Sequence, residues 1–212
     1  MSGKRVRLAP GERRQQLLDL GIRMLSERGL EQVSVEEIAD QAGISRGLLF
    51  HYFPSKRDFH LAVVRHASDG LLRAIRPDQA LSLGPMLYDA MRRYVDYVVE
   101  NQQAYISQLR GPASADPDFV EIFDGNRAAI AGLIFTHAPV PGEIDRTVLE
   151  LAVRGWIAFI EETTISWVRA QHISRDQLVE LNVRALAALV LGSEGAAELF
   201  SEQLPAPILP SQ

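Results

Sequence analysis

Apolar residues recur at helical spacing along almost the whole chain, and the breaks in that rhythm divide it into helices. Leu17/Leu18, Gly21 and Met24/Leu25 share one face of a helix running from about Gly11 to Arg28, with Gly29 as the expected residue just past its end. The next stretch, Ser34 to Arg57, reads as two short helices and a tight turn. Ser34 and Glu37 fit a capping box, and Ile38, Ala39 and Ala42 supply one apolar face. Gly43 can take the positive φ of the turn, Ile44 fills the angle, and Ser45 caps the helix Arg46–Tyr52. Pro54 ends that helix, and Ser55 caps another with Asp58 three residues on. This fourth helix carries Phe59, Ala62/Val63, His66/Ala67, Gly70/Leu71 and Ala74 on one face and ends before Pro77.

From Leu81 to Leu204 the period stays helical and no alternating strand pattern appears. The spacing predicts helices at about 83–102, 103–110, 117–137, 143–171 and 174–198, broken at Gly111-Pro112 and Pro139-Val140-Pro141-Gly142. The eighth is apolar around most of its circumference, so it must be covered on two sides. The ninth adds Leu178, Leu181, Ala185, Ala188, Leu189 and Gly192, several small enough for close helix approach. The fold class is therefore all-α, about nine helices. It divides into a basic arm (1–10), a three-helix helix-turn-helix domain (11–57), a connecting helix (58–77), a larger helical domain (78–204) and a tail (205–212).

A helix-turn-helix places its second helix in the DNA major groove, where the first turn reaches the base edges. Ser45, Arg46, Gly47 and Leu48 stand at that end, with His51 and Tyr52 a turn further on. Gly47 costs about 1 kcal/mol against Ala in a helix, so a bare backbone there suggests close approach of phosphate or a thymine methyl. Arg13 and Arg14 oppose the dipole at the start of the first helix, a placement that makes sense if at least one binds phosphate. Lys56 joins an ammonium to a helix N-terminus, which already favours an anion. Phe50 and Phe53 read as core. Net charge is −5 overall, yet residues 1–76 hold 13 Lys/Arg against 9 Asp/Glu, and residues 77–212 hold 9 against 18. A basic N-terminal part joined to an acidic remainder suits one DNA-binding domain and one that avoids phosphate. Lys4, Arg5 and Arg7 fit either an arm along the DNA or a solvated tail.

The order Ser34-x-x-Glu-Ile-Ala-x-x-Ala-Gly-Ile-Ser-Arg-Gly-Leu-Leu-Phe-His-Tyr-Phe-Pro-Ser-Lys resembles the TetR family of bacterial transcriptional regulators, over roughly residues 11 to 60. The resemblance implies that Ser34, Tyr52 and Lys56 contact the DNA backbone. It also implies that the last two helices build a four-helix dimer interface, and that ligand binding in the C-terminal domain swings helix 4. Dimerisation also follows from the two-fold binding usual for this motif.

The larger domain is expected to hold an apolar cavity between helices 5, 7 and 8. Its candidate residues are Met86, Met91, Tyr94, Tyr97 and Val98, then Phe119, Phe123 and Phe135, then Trp156 and Phe159, though the same spacing also fits plain core. Arg92, Arg93, Gln102, Arg154, Glu161, Glu162 and Thr163 are the polar candidates. Methionines and aromatics suit a hydrophobic or amphipathic effector such as a drug, lipid or acyl compound. Enzyme chemistry is not expected: adjacent Glu161 and Glu162 diverge on a helix, and the five histidines lack metal-ligand spacing. No catalytic, cofactor or metal site is expected. With no cysteine, no signal-peptide core and no apolar run of the ~18 residues a membrane span needs, the chain is expected to be cytoplasmic. The reading is a homodimeric repressor released from a near-palindromic double-stranded operator by its effector; an activator, a multi-site DNA binder, or a ligand-binding protein without DNA affinity are the alternatives.

Overall fold

The computed structural model describes residues 9–27, 32–138 and 145–200. Helix α1 is Pro10–Glu27, α2 Val35–Gln41, α3 Arg46–Tyr52 and α4 Lys56–Ala74. They are followed by α5 Leu83–Glu100, α6 Gln102–Arg110, α7 Pro117–His137, α8 Arg146–Ala170 and α9 Arg175–Phe200, with a short 3-10 helix, Pro112–Ala115, before α7. No strand occurs among the described residues, so the all-α class stands. Residues 1–8 of the N-terminal arm, Gly29, the Pro139–Gly142 break and the C-terminal tail lie outside the described residues, and Pro10, placed in the arm, begins α1.

Two compact units emerge: Met1–Arg73 with Tyr97–Asn126, and Ala74–Asp96 with Arg127–Gln212. Compactness thus groups Tyr97–Asn126 with the N-terminal helices, a division different from the boundary near residue 77 drawn along the sequence. The physical reason is visible in the first unit's core. Leu17, Met24, Val33, Ile38, Leu49, Phe53, Phe59 and Val63 are buried together with Ala104, Phe119 and Phe123 from α6 and α7. The two short helices α2 and α3 cannot by themselves cover the apolar faces of α1 and α4. Phe53 and Phe59 meet edge to face at 5.0 Å between ring centroids, and each buried Phe is worth roughly 2–3 kcal/mol.

In the second unit α8 and α9 pack along each other. Leu149, Val153, Ile157 and Ile160 of α8 and Leu178, Val183, Leu186 and Val190 of α9 are buried. Asp145 caps α8 by accepting from the Thr147 and Val148 backbone N–H groups at 2.7 and 3.4 Å, which holds its carboxyl below the usual range. Helix α9 is not continuous as the spacing predicted. Gly192 has φ 72° and ψ 177°, a conformation open essentially to glycine alone, and the helix kinks there.

Candidate nucleic-acid interface and effector cavity

The turn between α2 and α3 is built by local hydrogen bonds. Ser34 Oγ accepts from the Glu37 N–H at 3.1 Å and Glu37 Oε2 accepts from the Ser34 N–H at 3.3 Å, completing the capping box. Gly43 takes φ 65° at the turn, and Ser45 Oγ accepts from the Leu48 N–H at 3.2 Å to start α3. Helix α3 buries only Leu49. Ser45, Arg46, Gly47, Leu48 and His51 all face solvent, and Tyr52 is half-buried. A Cβ on Gly47 would meet nothing nearer than Ser45 Oγ at 4.0 Å, so the chain's own packing does not require a glycine there. Such a surface, one buried anchor under an exposed polar turn, can enter a groove.

Ser55 caps α4, accepting from the Asp58 N–H at 3.1 Å, and leaves the exposed Lys56 as the first helical residue. Arg14, on the exposed side of α1, lies over the Phe53 ring at 5.2 Å, and Arg13 bonds Gln16 one turn on. Ser34, Arg14, Tyr52 and Lys56 therefore belong to one unit whose surface includes the first turn of α3.

Two charged partners were not legible in the pattern. Glu36 of α2 pairs with Arg46 at 3.1 Å, so the candidate base reader is held toward α2 before any DNA arrives. Arg57 donates to both carboxylate oxygens of Asp116, at 2.7 and 2.9 Å, and also pairs with Asp118. Those bonds raise the guanidinium above its ordinary range and hold the Asp116 carboxyl below its own. Of the adjacent cations Lys56 and Arg57, the second is thus already neutralised by α7 and the loop before it. His60, packed against Phe59, is lowered to about 4 by burial first and by the nearby Lys56 second, so it is neutral at physiological pH.

The second unit contains a cavity of about 80 Å³. Of the candidates read from the sequence, Met86, Met91, Tyr94 and Trp156 line it. The remaining wall includes Leu83, Leu87, Leu133, Ile134, His137 and Leu186, and it reaches Ile75 and Pro77, which directly follow α4 in the chain. Apart from His137, these positions look like ordinary core in a sequence, and only their failure to close on one another marks them.

Several expected ligand residues are elsewhere. Tyr97, Val98, Phe119 and Phe123 belong to the first unit, where Val98 and the two phenylalanines are buried and Tyr97 donates to the Ala67 carbonyl at 2.6 Å. Desolvation of its own phenol raises Tyr97 to about 12. The reason is that α5 and α7 each supply residues to both units, so one helix face divides between two cores. Arg154, Phe159 and Glu162 point outward from α8. Phe135 is stacked by Arg146 at 4.6 Å, and Glu161 is held by a two-pronged bond from Arg127 at 2.8 and 2.9 Å. Thr163 bonds within the chain, with its Oγ1 2.9 Å from both the Phe159 carbonyl and Asn182 Oδ1. Arg93, also a candidate, instead donates to the Ala74 and Arg76 carbonyls at 2.5 and 3.0 Å, satisfying acceptors at the end of α4.

The expected dimer residues divide similarly. Leu178 is buried in its own unit, so it cannot meet a partner. Leu181 (44% exposed), Leu189 (52%) and Ala188 face solvent on α9, beside Leu151 (65%) and Val148 on α8. Gly192 is exposed, but at the kink rather than on a straight helix face. No helix among the described residues is long and apolar enough to cross a membrane.

Comparison with known proteins fits this geometry. Residues 17–63 match bacterial regulatory proteins of the tetR family, and residues 83–189 match the tetracyclin repressor-like C-terminal domain. A tetR-family transcriptional regulator from Streptomyces coelicolor superposes with a TM-score of 0.77 and 34% identity, over 92% of this chain and 89% of that one. The transcriptional activator FasR of Mycolicibacterium smegmatis is 34% identical over 103 residues, covering 47% of this chain and 46% of FasR. The nucleoid occlusion factor SlmA of Haemophilus influenzae is 34% identical over 93 residues, 42% of this chain and 43% of SlmA. The chain spans about half the length of the curated relatives it matches. FadR from Bacillus subtilis, solved in complex with stearoyl-CoA, has the same fold at a TM-score of 0.59 and 22% identity.

Proposed function

The chain belongs to the TetR family of bacterial transcriptional regulators, and from that premise we propose that it is a homodimeric repressor released from DNA by a hydrophobic or amphipathic effector. The observation that carries the DNA reading is α3, which buries Leu49, packs Phe50 and Tyr52 partly against the same core, and leaves Ser45, Arg46, Gly47, Leu48 and His51 exposed toward a groove. Arg46 reads a base edge on leaving Glu36. Lys56, Tyr52, Ser34 and the Arg13/Arg14 pair hold phosphates and set the register. The outward stripe of Leu181, Ala185, Ala188 and Leu189 beside Leu151 pairs with its copy, so two α3 helices face successive turns of a near-palindromic operator, about 34–36 Å apart.

The cavity supports the effector half of the reading. At about 80 Å³ it is far smaller than the roughly 300–1,000 Å³ of a drug-sized site, so an effector must push side chains apart to enter. Ile75 and Pro77 are among the side chains displaced, and the helix they follow begins with Lys56. A ligand that binds the widened form better draws the protein toward it by that difference in affinity. Arg93, bonded to the carbonyls of Ala74 and Arg76, transmits the shift to the end of α4.

Selection from a random duplex library tests the reading. The expected product is an inverted repeat, and Arg46→Ala should relax its sequence while retaining general DNA affinity. Enrichment of no sequence, or equal loss on all DNA in the variant, would contradict base reading by α3. Activation is the second reading, favoured by the likeness to FasR. Operator position relative to the promoter decides between them, so a reporter that rises on loss of the protein supports repression and one that falls supports activation.

A further inference from the structure

Asn182 is out of place in α9. Its neighbours one turn either way and beside it, Leu178, Val179, Val183 and Leu186, are apolar and buried, and Asn182 itself is 0% exposed. Its backbone carbonyl accepts from Trp156 Nε1 at 2.8 Å, and its Oδ1 lies 2.9 Å from Thr163 Oγ1. The other end of the amide meets Met91 Sδ at 3.8 Å. A thioether is a weak acceptor, whereas an amide nitrogen carries two hydrogens. Turning the amide over does not help. Thr163 would then accept from the nitrogen while donating to the Phe159 carbonyl, and the amide oxygen would face sulfur with no donor. In either orientation one polar end of a fully buried amide has no strong partner, which folding alone would select against.

Met91, which meets this amide, and Trp156, which donates to the Asn182 backbone carbonyl, are both cavity walls. Met91 is unbranched and adapts its shape readily, so it can move aside. No Asp, Glu, Lys or Arg lines the cavity, whose polar side chains are Tyr94 and His137, so a charge brought against Asn182 would be buried without a carboxylate, ammonium or guanidinium to pair with.

We infer that Asn182 is the polar anchor of the effector cavity, reached when Met91 swings aside, and that the effector is an apolar molecule carrying a neutral oxygen, a carbonyl or hydroxyl, at that depth. The inference rests on the cavity being the effector site. Effector binding then exchanges an amide–thioether contact for an amide–oxygen hydrogen bond. Recognition comes from a neutral bond within a largely apolar surface, and the Met91 displacement widens the cavity as the bond forms.

The test uses the full chain, the fluorescent probe phenylnaphthylamine as a reporter of the cavity, and two competitors that differ only by a carbonyl in place of a methylene, benzylacetone and butylbenzene. Taking the ratio of their affinities within each protein cancels the difference in their hydration. In Asn182→Leu the ratio should move about tenfold against benzylacetone, one hydrogen bond's worth. In Met91→Ala, which uncovers the amide without touching it, the ratio should move toward benzylacetone. Unchanged ratios in both variants, with both compounds still displacing the probe, would overturn the anchor and leave the cavity intact as an effector site. Failure of the probe and both compounds to bind the native chain would overturn both. If Asn182→Leu does not fold, Met91→Ala decides alone.

Discussion

At Gly21 the backbone of α1 lies close against Val63 and Phe59 of α4, which offers a test of the packing on which the DNA-binding unit depends. A Cβ placed on Gly21 would lie 2.6 Å from one Val63 γ-methyl, 3.3 Å from the other and 2.9 Å from Phe59 Cζ. Neither wall can retreat: Val63 is 0% and Phe59 1% exposed. Helix propensity alone would make Gly21→Ala stabilising by about 1 kcal/mol. Overpacking a filled core costs about 1–3 kcal/mol, and contacts this short on two immobile side chains belong in the upper half of that range. The net expectation is a loss of about 1–2 kcal/mol. Gly125→Ala is the control, since it lies within α7 and its Cβ would meet nothing within 4 Å. It should gain about 0.5–1 kcal/mol from propensity alone. Urea denaturation of the three proteins, followed by far-ultraviolet circular dichroism, should therefore move the midpoint in opposite directions. A rise for Gly21→Ala, matching that of Gly125→Ala, would refute the tight α1–α4 packing.

Three other expectations follow from named contacts. Lys56→Ala should weaken operator and random DNA alike and make the slope of log affinity against log salt shallower by about one, read by anisotropy in a salt series; an unchanged slope would remove Lys56 from the phosphate contacts. His60 has a folded value of about 4, below its ordinary 6.5, so the unfolded chain takes the proton first. Its contribution to stability is complete above pH 6.5 and is lost as pH falls toward about 4. His60→Leu should flatten the urea midpoint across that window, and an equal slope in both proteins would discard the assignment. Ala188→Arg places a long charged side chain on the exposed α9 stripe and should yield monomers in sedimentation together with loss of tight operator binding. Dimers of unchanged strength would relocate the interface.

The helix-turn-helix was legible because its determinants are local. Ser34 and Glu37, Gly43, Ser45, Pro54 and Ser55 each act within three or four residues, and the structure places the corresponding caps and the turn at those positions. Helix α7 was likewise bounded at Pro117 and His137 by its flanking breaks. What the pattern could not supply was partnership across the chain. Phe119 and Phe123 have the spacing of a cavity wall, but packing of α7 against the N-terminal helices puts them in the first unit's core. Leu178 has the spacing of an interface residue and is buried at home. Asn182 did leave a trace, a lone amide between Leu178 and Leu186 on one face of α9, and its meaning depended on finding Met91 beside it. Gly192 read as a small residue for close helix approach, whereas φ 72° makes it a break.

The central claim is that two α3 helices held in one dimer read a specific operator. Its most direct measurement is an anisotropy titration of the protein against a labelled duplex of its own upstream intergenic DNA, with scrambled competitor present. The account predicts tight, competitor-resistant binding with two protomers per step. Weak binding, equal for labelled and scrambled DNA and with one protomer per step, would contradict it.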